Sequence, residues 1–266
     1  MFLSIIIPSY NHGQFIERCL KSILYQRFEH GYEIIVVDKF SNDQTQNIIR
    51  KYQKKYQNIF FFKKNYDQSQ AINFGFKKSK GLYCAWQNCD DFYLKNSFNY
   101  FYKTYKKDNN ADIIFGNMNI IDINSKFIRF QYFSRVNFFQ LISEGMVISN
   151  QSCIFKRVLF PKFNINKYYN SFDYDFFLNL SYNKKKFLKV STNKSLAVFR
   201  IYKGQKSFHY SKDDILVRES IMNKYSSRFL RTFFYNKIIS KILRLFFMIK
   251  DNNFKYTFNY LKQKKI

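Results

Sequence analysis

The sequence predicts an α/β fold, a mostly parallel sheet flanked by helices, and two observations favour this class. Over the first 120 residues, short apolar runs that suit buried strands alternate with segments whose apolar side chains recur at helical spacing. The chain has only seven Gly and two Pro in 266 residues, which leaves few turn residues for an all-β sandwich. Because a strand, helix, strand order requires crossover connections, we expect neighbouring strands to run parallel.

The elements of this alternating half follow one another without an internal repeat or a linker. LSIIIP at 3–8 is a continuous apolar run of the kind that lies buried on both faces of a sheet. Residues 13–26 then place Ile16, Leu20 and Ile23 on one side of a helix and charged residues on the other. The further predicted elements are a strand at 33–38, a helix capped by Asp43, a strand at 58–62, a helix at 69–78, a strand at 82–87, a helix near 95–106 and a strand at 112–117.

After about residue 118 the alternation gives way to shorter, aromatic-rich segments. A helix is expected to begin near Asp173, strands at 187–190 and 196–202, and a further helix at the Asp213-Asp214 pair. These pieces complete the fold rather than form a separate domain. The predicted division is a domain over 1–208, with halves of about 1–117 and 118–208, and a tail over 209–266.

Charge and composition narrow the class of protein. The chain carries 45 Lys and Arg against 18 Asp and Glu, a formal charge of +27, while 46% hydrophobic residues exclude a disordered basic tail. Part of the Lys, Asn, Ile, Phe and Tyr excess fits a genome-wide compositional bias, so the charge alone is weak evidence for a nucleic-acid partner, and none is expected. No Cys-x-x-Cys pair occurs, which argues against zinc or a disulfide framework; the cysteines are Cys19, Cys84, Cys89 and Cys153.

A basic amphipathic helical tail is predicted over 209–266. This segment has 13 Lys and Arg against four acidic residues, and 226–250 has six cations and no acid. Apolar residues recur there at helical spacing; they are Leu230, Phe234, Ile238, Ile242, Leu245 and Ile249. Such a helix can lie on an anionic membrane surface or dock on the domain through its apolar face, and both alternatives stay open.

The sequence predicts a cytoplasmic protein, with a peripheral position on the inner face of the cytoplasmic membrane as the alternative that the tail supports. No run of about 18 uncharged apolar residues occurs, so no membrane span is expected. The N-terminus lacks the basic start and the small-residue cleavage site of a signal peptide, and is interpreted as a first strand.

Carboxylates follow two of the predicted strands in a chain that is poor in acids. Asp38 ends the strand at 33–38, and Asp90 and Asp91 come shortly after the strand at 82–87. Open parallel sheets bind ligands at the carboxyl ends of their strands. Two adjacent carboxylates there can hold a hard divalent cation that neutralises a diphosphate, or they can be a solvated pair that caps the next helix.

Three segments of the first half carry motifs in a characteristic order: SIIIPSYNHGQFIERCLKSILYQ, YEIIVVDKFSNDQTQNII and QSQAINFGFKKSKGLYCAWQNCDD. In this order and spacing they resemble glycosyltransferase family 2, inverting transferases of the Rossmann-like GT-A fold that build cell-surface polysaccharides. The resemblance covers roughly residues 3–208. It implies a nucleotide-sugar donor, a glycan or lipid-linked acceptor, and an enzyme that depends on Mg²⁺ or Mn²⁺, with a nucleotide-binding first half and an acceptor-binding second half.

The resemblance also implies which residues hold the donor. The family's Asp-x-Asp-like element corresponds to Asn88-Cys89-Asp90-Asp91, in which Asp91 would be the metal ligand and Asp90 would contact the ribose or the sugar. Arg200, in SLAVFRIYKGQKS, matches an arginine near the diphosphate. The donor-binding residues so implied are Pro8, Ser9, Tyr10, Asp38, Asp90 and Arg200.

The catalytic base implied by the resemblance is Asp173. It lies in NSFDYDFFLNL, which is similar to the family's acceptor-side motif. From the residues alone, Asp173 could instead cap the helix that it begins, and Asp175 is a competing base two residues on. A carboxylate on a separate element suits inversion, since it can take the proton of the acceptor hydroxyl on the face opposite the leaving group.

The sequence departs from the family pattern at several positions. Lys39 and Phe40 replace the residues of a glycine-containing loop, and Tyr202 replaces a frequent histidine. The leading hypothesis is sugar transfer in lipopolysaccharide, O-antigen or capsule synthesis. Two alternatives remain: a sugar nucleotidyltransferase, whose glycine-rich basic loop is not found in SYNHGQF, and a catalytically degenerate protein that binds membrane or RNA.

Overall fold

The computed structural model describes residues 1–160, 170–192, 194–205, 211–226, 242 and 246. Within them the chain forms two β-sheets and the helices that cover them, so the predicted α/β class is confirmed. The predicted tail lies mostly outside the described residues. Of the segment 226–250 only Ser226, Ile242 and Phe246 are described, and the last two are helical and exposed.

The alternating half folds as its pattern predicts, with element ends shifted by one or two residues, except that the short strand β5 was not predicted. Gln44, not the predicted Asp43, is the N-cap residue of α2, although Asp43 Oδ1 accepts a hydrogen bond from the Thr45 N–H, the first of the helix, at 2.9 Å. The elements are β1 (Leu3–Ser9), α1 (Gly13–Leu24), β2 (Tyr32–Asp38), α2 (Thr45–Lys55), β3 (Ile59–Lys63), α3 (Gln68–Lys78), β4 (Tyr83–Trp86), β5 (Phe92–Tyr93), α4 (Ser97–Lys107) and β6 (Ile113–Phe115).

The second half contains the expected helix near Asp173 and the expected helix at Asp213-Asp214, where Ser211 and Asp214 form a capping box. It also contains elements that the sequence pattern did not predict, namely β7, β8, α5 and β9. The elements are β7 (Asn117–Ile121), β8 (Phe127–Gln131), α5 (Phe138–Glu144), β9 (Cys153–Lys156) between two 3₁₀ turns (Asn150–Ser152 and Arg157–Leu159), α6 (Phe172–Tyr182), β10 (Phe187–Lys189), β11 (Ser195–Arg200) and α7 (Lys212–Tyr225).

The larger sheet has seven strands in the order β10-β6-β9-β4-β1-β2-β3. Neighbours run parallel except around β9, which is antiparallel to both β4 and β6, so the predicted mostly parallel sheet is confirmed. From β1 the chain proceeds to β2 and β3 on one side and returns to β4 on the other. The order therefore reverses between β1 and β4, which is where open sheets bind ligands.

The core lies on both faces of this sheet, because every residue of β1 is buried. Ile5 and Ile7 pack in one cluster with α1, and Ile6 points to the opposite face in a cluster with α3. Burying each such side chain is worth roughly 1.5–3 kcal/mol. Gly75 lets α3 approach closely, since a Cβ there would lie 2.5 Å from Ile6 Cγ2.

Aromatic packing positions α6 at the carboxyl end of β4. Trp86, the last residue of β4, is buried, and its ring centre lies 6.4 Å from that of Phe172 and 5.6 Å from that of Phe176. The first turn of α6 is therefore held beside the strand end that leads to Asp90. Among the described residues, none of the helices combines the length and apolarity needed to cross a bilayer.

A smaller sheet has four strands in the order β5-β11-β7-β8. β11 is parallel to β7 and antiparallel to β5. This pairing carries Arg200, the last residue of β11, to the loop between β4 and β5 where Asp90 and Asp91 lie.

Candidate active site

Asp38, the predicted nucleotide-binding aspartate, is fully buried at the end of β2. Its Oδ1 accepts a hydrogen bond from the Ser41 hydroxyl at 2.5 Å, and its Oδ2 accepts one from the Ser41 N–H at 2.8 Å. An aspartate that bonds a residue three positions on closes a tight local turn. Asp38 thus fixes the shape of the loop after β2 from inside the protein, while a side chain of that loop, Phe40, is exposed to solvent.

The end of β1 and the loop after it place the predicted residues Pro8, Ser9 and Tyr10 beside this turn. Pro8 and Ser9 end the buried strand, while Tyr10 is 52% exposed. Asp43 joins the two loops, since its Oδ2 accepts a hydrogen bond from the Gly13 N–H at 2.8 Å while its Oδ1 accepts one from the Thr45 N–H at the start of α2. The strand ends of β1 and β2 therefore form one hydrogen-bonded edge.

Asp91, the predicted metal ligand, is buried and bonded within the protein. Its Oδ1 accepts a hydrogen bond from the Arg200 backbone N–H at 2.9 Å, and its Oδ2 accepts one from Gln151 Nε2 at 2.9 Å. Burial and the neighbouring Asp90 raise the pKa of Asp91 well above its ordinary value. In this arrangement Asp91 connects three segments of the chain: the β4–β5 loop, β11 and the turn before β9.

Asp90 faces a different environment. Its Oδ2 accepts hydrogen bonds from the Tyr202 hydroxyl at 3.1 Å and from Gln205 Nε2 at 3.4 Å, while its Oδ1 accepts none from the described residues. Gln205 Oε1 is buried there without a hydrogen-bond partner. Two oxygen atoms that lack protein donors thus occur together, and hard divalent cations bind such oxygens.

This donor set suits a cation whose coordination the substrate completes. Among the described residues no cluster of three His, Cys, Asp or Glu could hold a metal by itself. Mg²⁺ is commonly held by one or two carboxylates together with substrate phosphates and water. Asp90 and Gln205 fit that kind of site.

Arg200, predicted near the diphosphate, is buried. Its guanidinium donates hydrogen bonds to the backbone carbonyls of Asp90 at 3.1 Å, Asp122 at 3.2 Å and Ile123 at 2.9 Å. It also lies 5.1 Å from the ring centre of Phe15. The side chain therefore braces the Asp90 loop against the loop after β7.

Asp173, the predicted base, is the second residue of α6 and is half-buried. Removal of its carboxyl group from water raises its pKa to about 6, while a hydrogen bond from the Tyr174 N–H at 2.8 Å and the charge of Arg218 act in the opposite direction. A carboxyl group with this pKa is mostly ionised at pH 7.5 and still basic enough to accept a proton.

Asp175, the competing base, points to α7. Its Oδ1 accepts a hydrogen bond from the Tyr225 hydroxyl at 2.9 Å and lies 3.4 Å from Lys224 Nζ. These contacts fasten α6 to α7. The geometry therefore favours Asp173 over Asp175 as the carboxylate available to a substrate.

Two residues at the site carried no signal in the sequence. Gln151 reaches Asp91 from the turn before β9, and Gln205 reaches Asp90 from the segment after β11. Glutamine has no pattern that marks a site in a single sequence. Both residues are brought to the aspartates by long-range strand pairing, which local periodicity does not reveal.

The sequence was compared with models of known protein families, and one of them matches this chain. The model described as "Glycosyl transferase family 2" matches residues 4–176 of this chain, which is more than half of its length.

Several proteins are similar to this chain in sequence. An uncharacterized glycosyltransferase of Rickettsia felis is 34% identical over 131 residues, which are 48% of this chain and 21% of that protein. The poly(ribitol-phosphate) beta-N-acetylglucosaminyltransferase TarP of Staphylococcus aureus is 33% identical over 117 residues, 43% of this chain and 36% of that protein. The matches thus cover about a fifth to two fifths of the relatives' own length.

Solved structures show the same fold. S. aureus TarS 1–349 in complex with UDP-GlcNAc superposes with a TM-score of 0.66 at 21% identity, covering 83% of this chain and 65% of that one. The mannosyltransferase PcManGT of Pyrobaculum calidifontis, in complex with GDP-Man and Mn²⁺, gives a TM-score of 0.56 at 15% identity, covering 76% of this chain and 57% of that one.

Proposed function

The chain belongs to glycosyltransferase family 2, and on that premise we propose that it moves a sugar from a nucleotide-sugar donor to a hydroxyl group of an acceptor, with inversion at the anomeric carbon. One observation carries the proposal. Asp173, with a pKa raised to about 6, begins a helix that the contact between Phe172 and Trp86 holds at the end of β4, the strand that leads to Asp90. Two carboxylates from separate elements, Asp90 and Asp173, are thus held at the carboxyl end of β4.

The donor side is proposed at the ends of β1, β2 and β4. Asp90, with Gln205, would hold Mg²⁺ or Mn²⁺ together with the donor's diphosphate. We assign the cation to Asp90 rather than to Asp91, because both oxygens of Asp91 already accept hydrogen bonds from the protein. When bound, the cation neutralises charge that builds on the departing diphosphate.

The acceptor side is proposed at Asp173. Its carboxylate takes the proton of the acceptor hydroxyl as the new bond from that oxygen to the anomeric carbon forms. The bond from the anomeric carbon to the diphosphate oxygen breaks at the same time, so the nucleoside diphosphate leaves with the bonding electron pair. A positioned base of this kind contributes typically 10²–10⁴-fold to the rate.

The substrate class is proposed from the relatives and the charge. TarP and a Bacillus spizizenii relative, 32% identical over 122 residues, are named poly(ribitol-phosphate) transferases, which supports an acceptor among cell-surface polymers. A charge of +27 suits an anionic acceptor or an anionic membrane surface. We therefore propose a cytoplasmic enzyme of surface polysaccharide synthesis, peripheral to the membrane, with lipopolysaccharide, O-antigen and capsule as the candidate products.

The test is acceptor-dependent release of nucleoside diphosphate. The purified chain is incubated with UDP-GlcNAc or GDP-Man, with Mn²⁺ or EDTA, and with or without poly(ribitol phosphate) or extracted lipid-linked glycans. We expect release that requires both the cation and one acceptor. A chain that binds neither nucleotide sugar nor its nucleoside diphosphate under any of these conditions would contradict the proposal.

A further inference from the structure

The hairpin formed by β7 and β8 exposes three large apolar side chains at its tip. Ile123 is 43% exposed, Phe127 58% and Ile128 50%, and every residue over 123–129 is exposed. The ladder between the strands skips Ile128, since the residues before and after it pair with consecutive residues of β7. Such a bulge changes the direction of side chains. β8 is also the outer strand of its sheet, so the apolar tip lies at an edge.

The hairpin is bonded to the loop that carries Asp90. Arg200 donates through Nε to the Asp90 carbonyl at 3.1 Å and through Nη1 to the Ile123 carbonyl at 2.9 Å. Arg18 of α1 also holds the turn of the hairpin, because its Nη1 donates to Ser125 Oγ at 2.7 Å. A surface that contacts the apolar tip is therefore brought next to the candidate cation site.

The charges at the tip are mostly positive. Lys126 and Arg129 are exposed, and Asp122 is the only acidic residue of the sequence over 113–143. Asp122 Oδ1 accepts a hydrogen bond from the Lys126 N–H at 2.8 Å, which closes the turn. Arg129 donates to the uncharged Gln131 side chain at 2.6 Å, so this bond leaves the charge of Arg129 unbalanced. Exposed apolar side chains beside cations complement an anionic lipid surface.

We propose that the hairpin of β7 and β8 is a docking element for an anionic bilayer. Phe127 and Ile128 enter the boundary between head groups and acyl chains, while Lys126 and Arg129 contact the anionic head groups. This inference rests on the membrane position in the proposed function and assigns it to a surface other than the predicted tail. Docking through the hairpin brings the Asp90 loop to the bilayer, where a lipid-linked acceptor is held.

The first measurement is the tryptophan fluorescence of the full chain with Phe127→Trp. Trp86 is the only tryptophan of the sequence and is buried, so its emission is a constant background. On phosphatidylglycerol vesicles the emission of the new side chain should shift to shorter wavelength and be quenched by lipids brominated in their acyl chains. Val158→Trp is the matched control and should show neither effect, since Val158 is 83% exposed but lies in a turn beside the start of β4.

The second measurement is co-sedimentation of the full chain with the same vesicles at low salt. The double variant Lys126→Gln with Arg129→Gln should bind more weakly by about 5-fold for each charge removed. Lys54→Gln with Lys55→Gln removes the same charge from exposed positions at the end of α2, on the opposite side of the larger sheet from the strand ends that form the site. This control should change binding less than about twofold.

Three results would overturn the docking element. The emission of Phe127→Trp stays that of a water-exposed side chain on vesicles that bind the protein, the two double variants lose binding equally, or the emission shifts with protein concentration in the absence of vesicles, which would indicate a second copy of the chain. A parent that does not bind vesicles overturns the docking element together with the proposed membrane position. Binding of UDP-GlcNAc or GDP-Man, measured separately by calorimetry, tests the sugar-transfer part of the proposed function.

Discussion

The three aspartates around the end of β4 differ in what surrounds each carboxylate. Both oxygens of Asp91 accept hydrogen bonds from Arg200 and Gln151, whereas Asp90 Oδ1 accepts none from the described residues. Asp173 lies on another element, with its pKa raised by loss of contact with water. On these hydrogen bonds we propose that Asp91 supports the fold, in place of its predicted role as metal ligand, and that Asp90 and Asp173 take part in the chemistry.

This proposal predicts that substitution of Asp91 mainly lowers the stability of the protein, whereas substitution of Asp90 mainly removes the cation dependence of nucleotide binding. Asp91→Ala leaves two buried N–H donors unpaired and should lower the free energy of unfolding by about 2–4 kcal/mol. Asp90→Asn keeps the shape and should cost less than about 1 kcal/mol, yet remove the dependence of UDP or GDP binding on Mn²⁺. Urea unfolding and calorimetry measure the two effects. Loss of cation dependence in Asp91→Asn, with Asp90→Asn behaving like the parent, would restore Asp91 as the metal ligand.

The environment of Asp173 predicts a pH-dependent gain in stability when its charge is removed. Its pKa is about 6 when folded against an ordinary 3.8, so as pH rises between these values the unfolded chain loses a proton that the folded protein keeps, and stability falls. Asp173→Asn avoids this loss. It should stabilise the protein little at pH 4 and by up to about 3 kcal/mol above pH 6.5. Equal unfolding free energies for parent and variant at pH 7.5 would show that Asp173 is solvated.

At this scale the sequence identified the aspartates but not their separate roles. A buried strand followed by Asn88-Cys89-Asp90-Asp91 was enough to place the pair at the edge of the sheet. Which of the two faces a ligand depends on the Arg200 N–H and the Gln151 amide. They arrive from segments 109 and 60 residues away in the chain, so no local pattern contains the information.

Among the elements, α7 bears directly on the proposed base. Arg218 of α7 packs its guanidinium over the Tyr174 ring, 4.9 Å from the ring centre, and occupies the space where a side chain at Gly145 would lie. Gly145, with φ of +83°, follows α5, whose last residue is the acidic Glu144.

Tyr225 and Lys224, at the end of α7, fasten this helix to Asp175 of α6. α7 lies beyond the residues that the family model matches, yet it supports the first turn of α6.

The position of Arg218 predicts that α7 adjusts the pH dependence of the proposed sugar transfer. The positive charge of Arg218 lowers the pKa of Asp173, so Arg218→Met should raise that pKa and move the acidic limb of the rate–pH profile to higher pH. Arg218→Lys keeps the charge and should keep the profile. A profile that does not move in Arg218→Met, with the protein folded, would show that the arginine serves packing alone.

The elements that the sequence predicted are those with a strong hydrophobic pattern, either a continuous apolar run or apolar residues at helical spacing. β1 and β2 are continuous buried runs, and α1 has one apolar face. β8 was not predicted because its residues are exposed or half-buried and lack alternation. β9 was not predicted because its apolar run, which ends before Lys156, has only three residues and is too short to separate from other structure, and its antiparallel insertion between β4 and β6 is set by tertiary packing.

For the molecule as a whole, the charge of +27 predicts salt-sensitive binding to anionic surfaces. Vesicles containing phosphatidylglycerol should bind the chain at 50 mM salt and release most of it at 500 mM, because exposed charges are screened over about 8 Å at physiological ionic strength and less at higher salt. Deletion of 226–266 should abolish binding if the predicted tail carries it. Unchanged co-sedimentation after deletion would contradict that role, and an insoluble truncated protein would favour a tail docked on the domain.

The most direct test of the whole account is the rate of sugar transfer by Asp173→Asn at saturating donor, with binding of UDP or GDP measured separately. The amide keeps the shape of the side chain and can still accept the hydrogen bond from the Tyr174 N–H, so only proton acceptance is lost. We predict a 10²–10⁴-fold slower transfer with nucleotide and cation affinity close to parental, and a far milder effect of Asp175→Asn. Transfer at the parental rate by Asp173→Asn would contradict the account and leave Asp173 as a residue that only begins a helix.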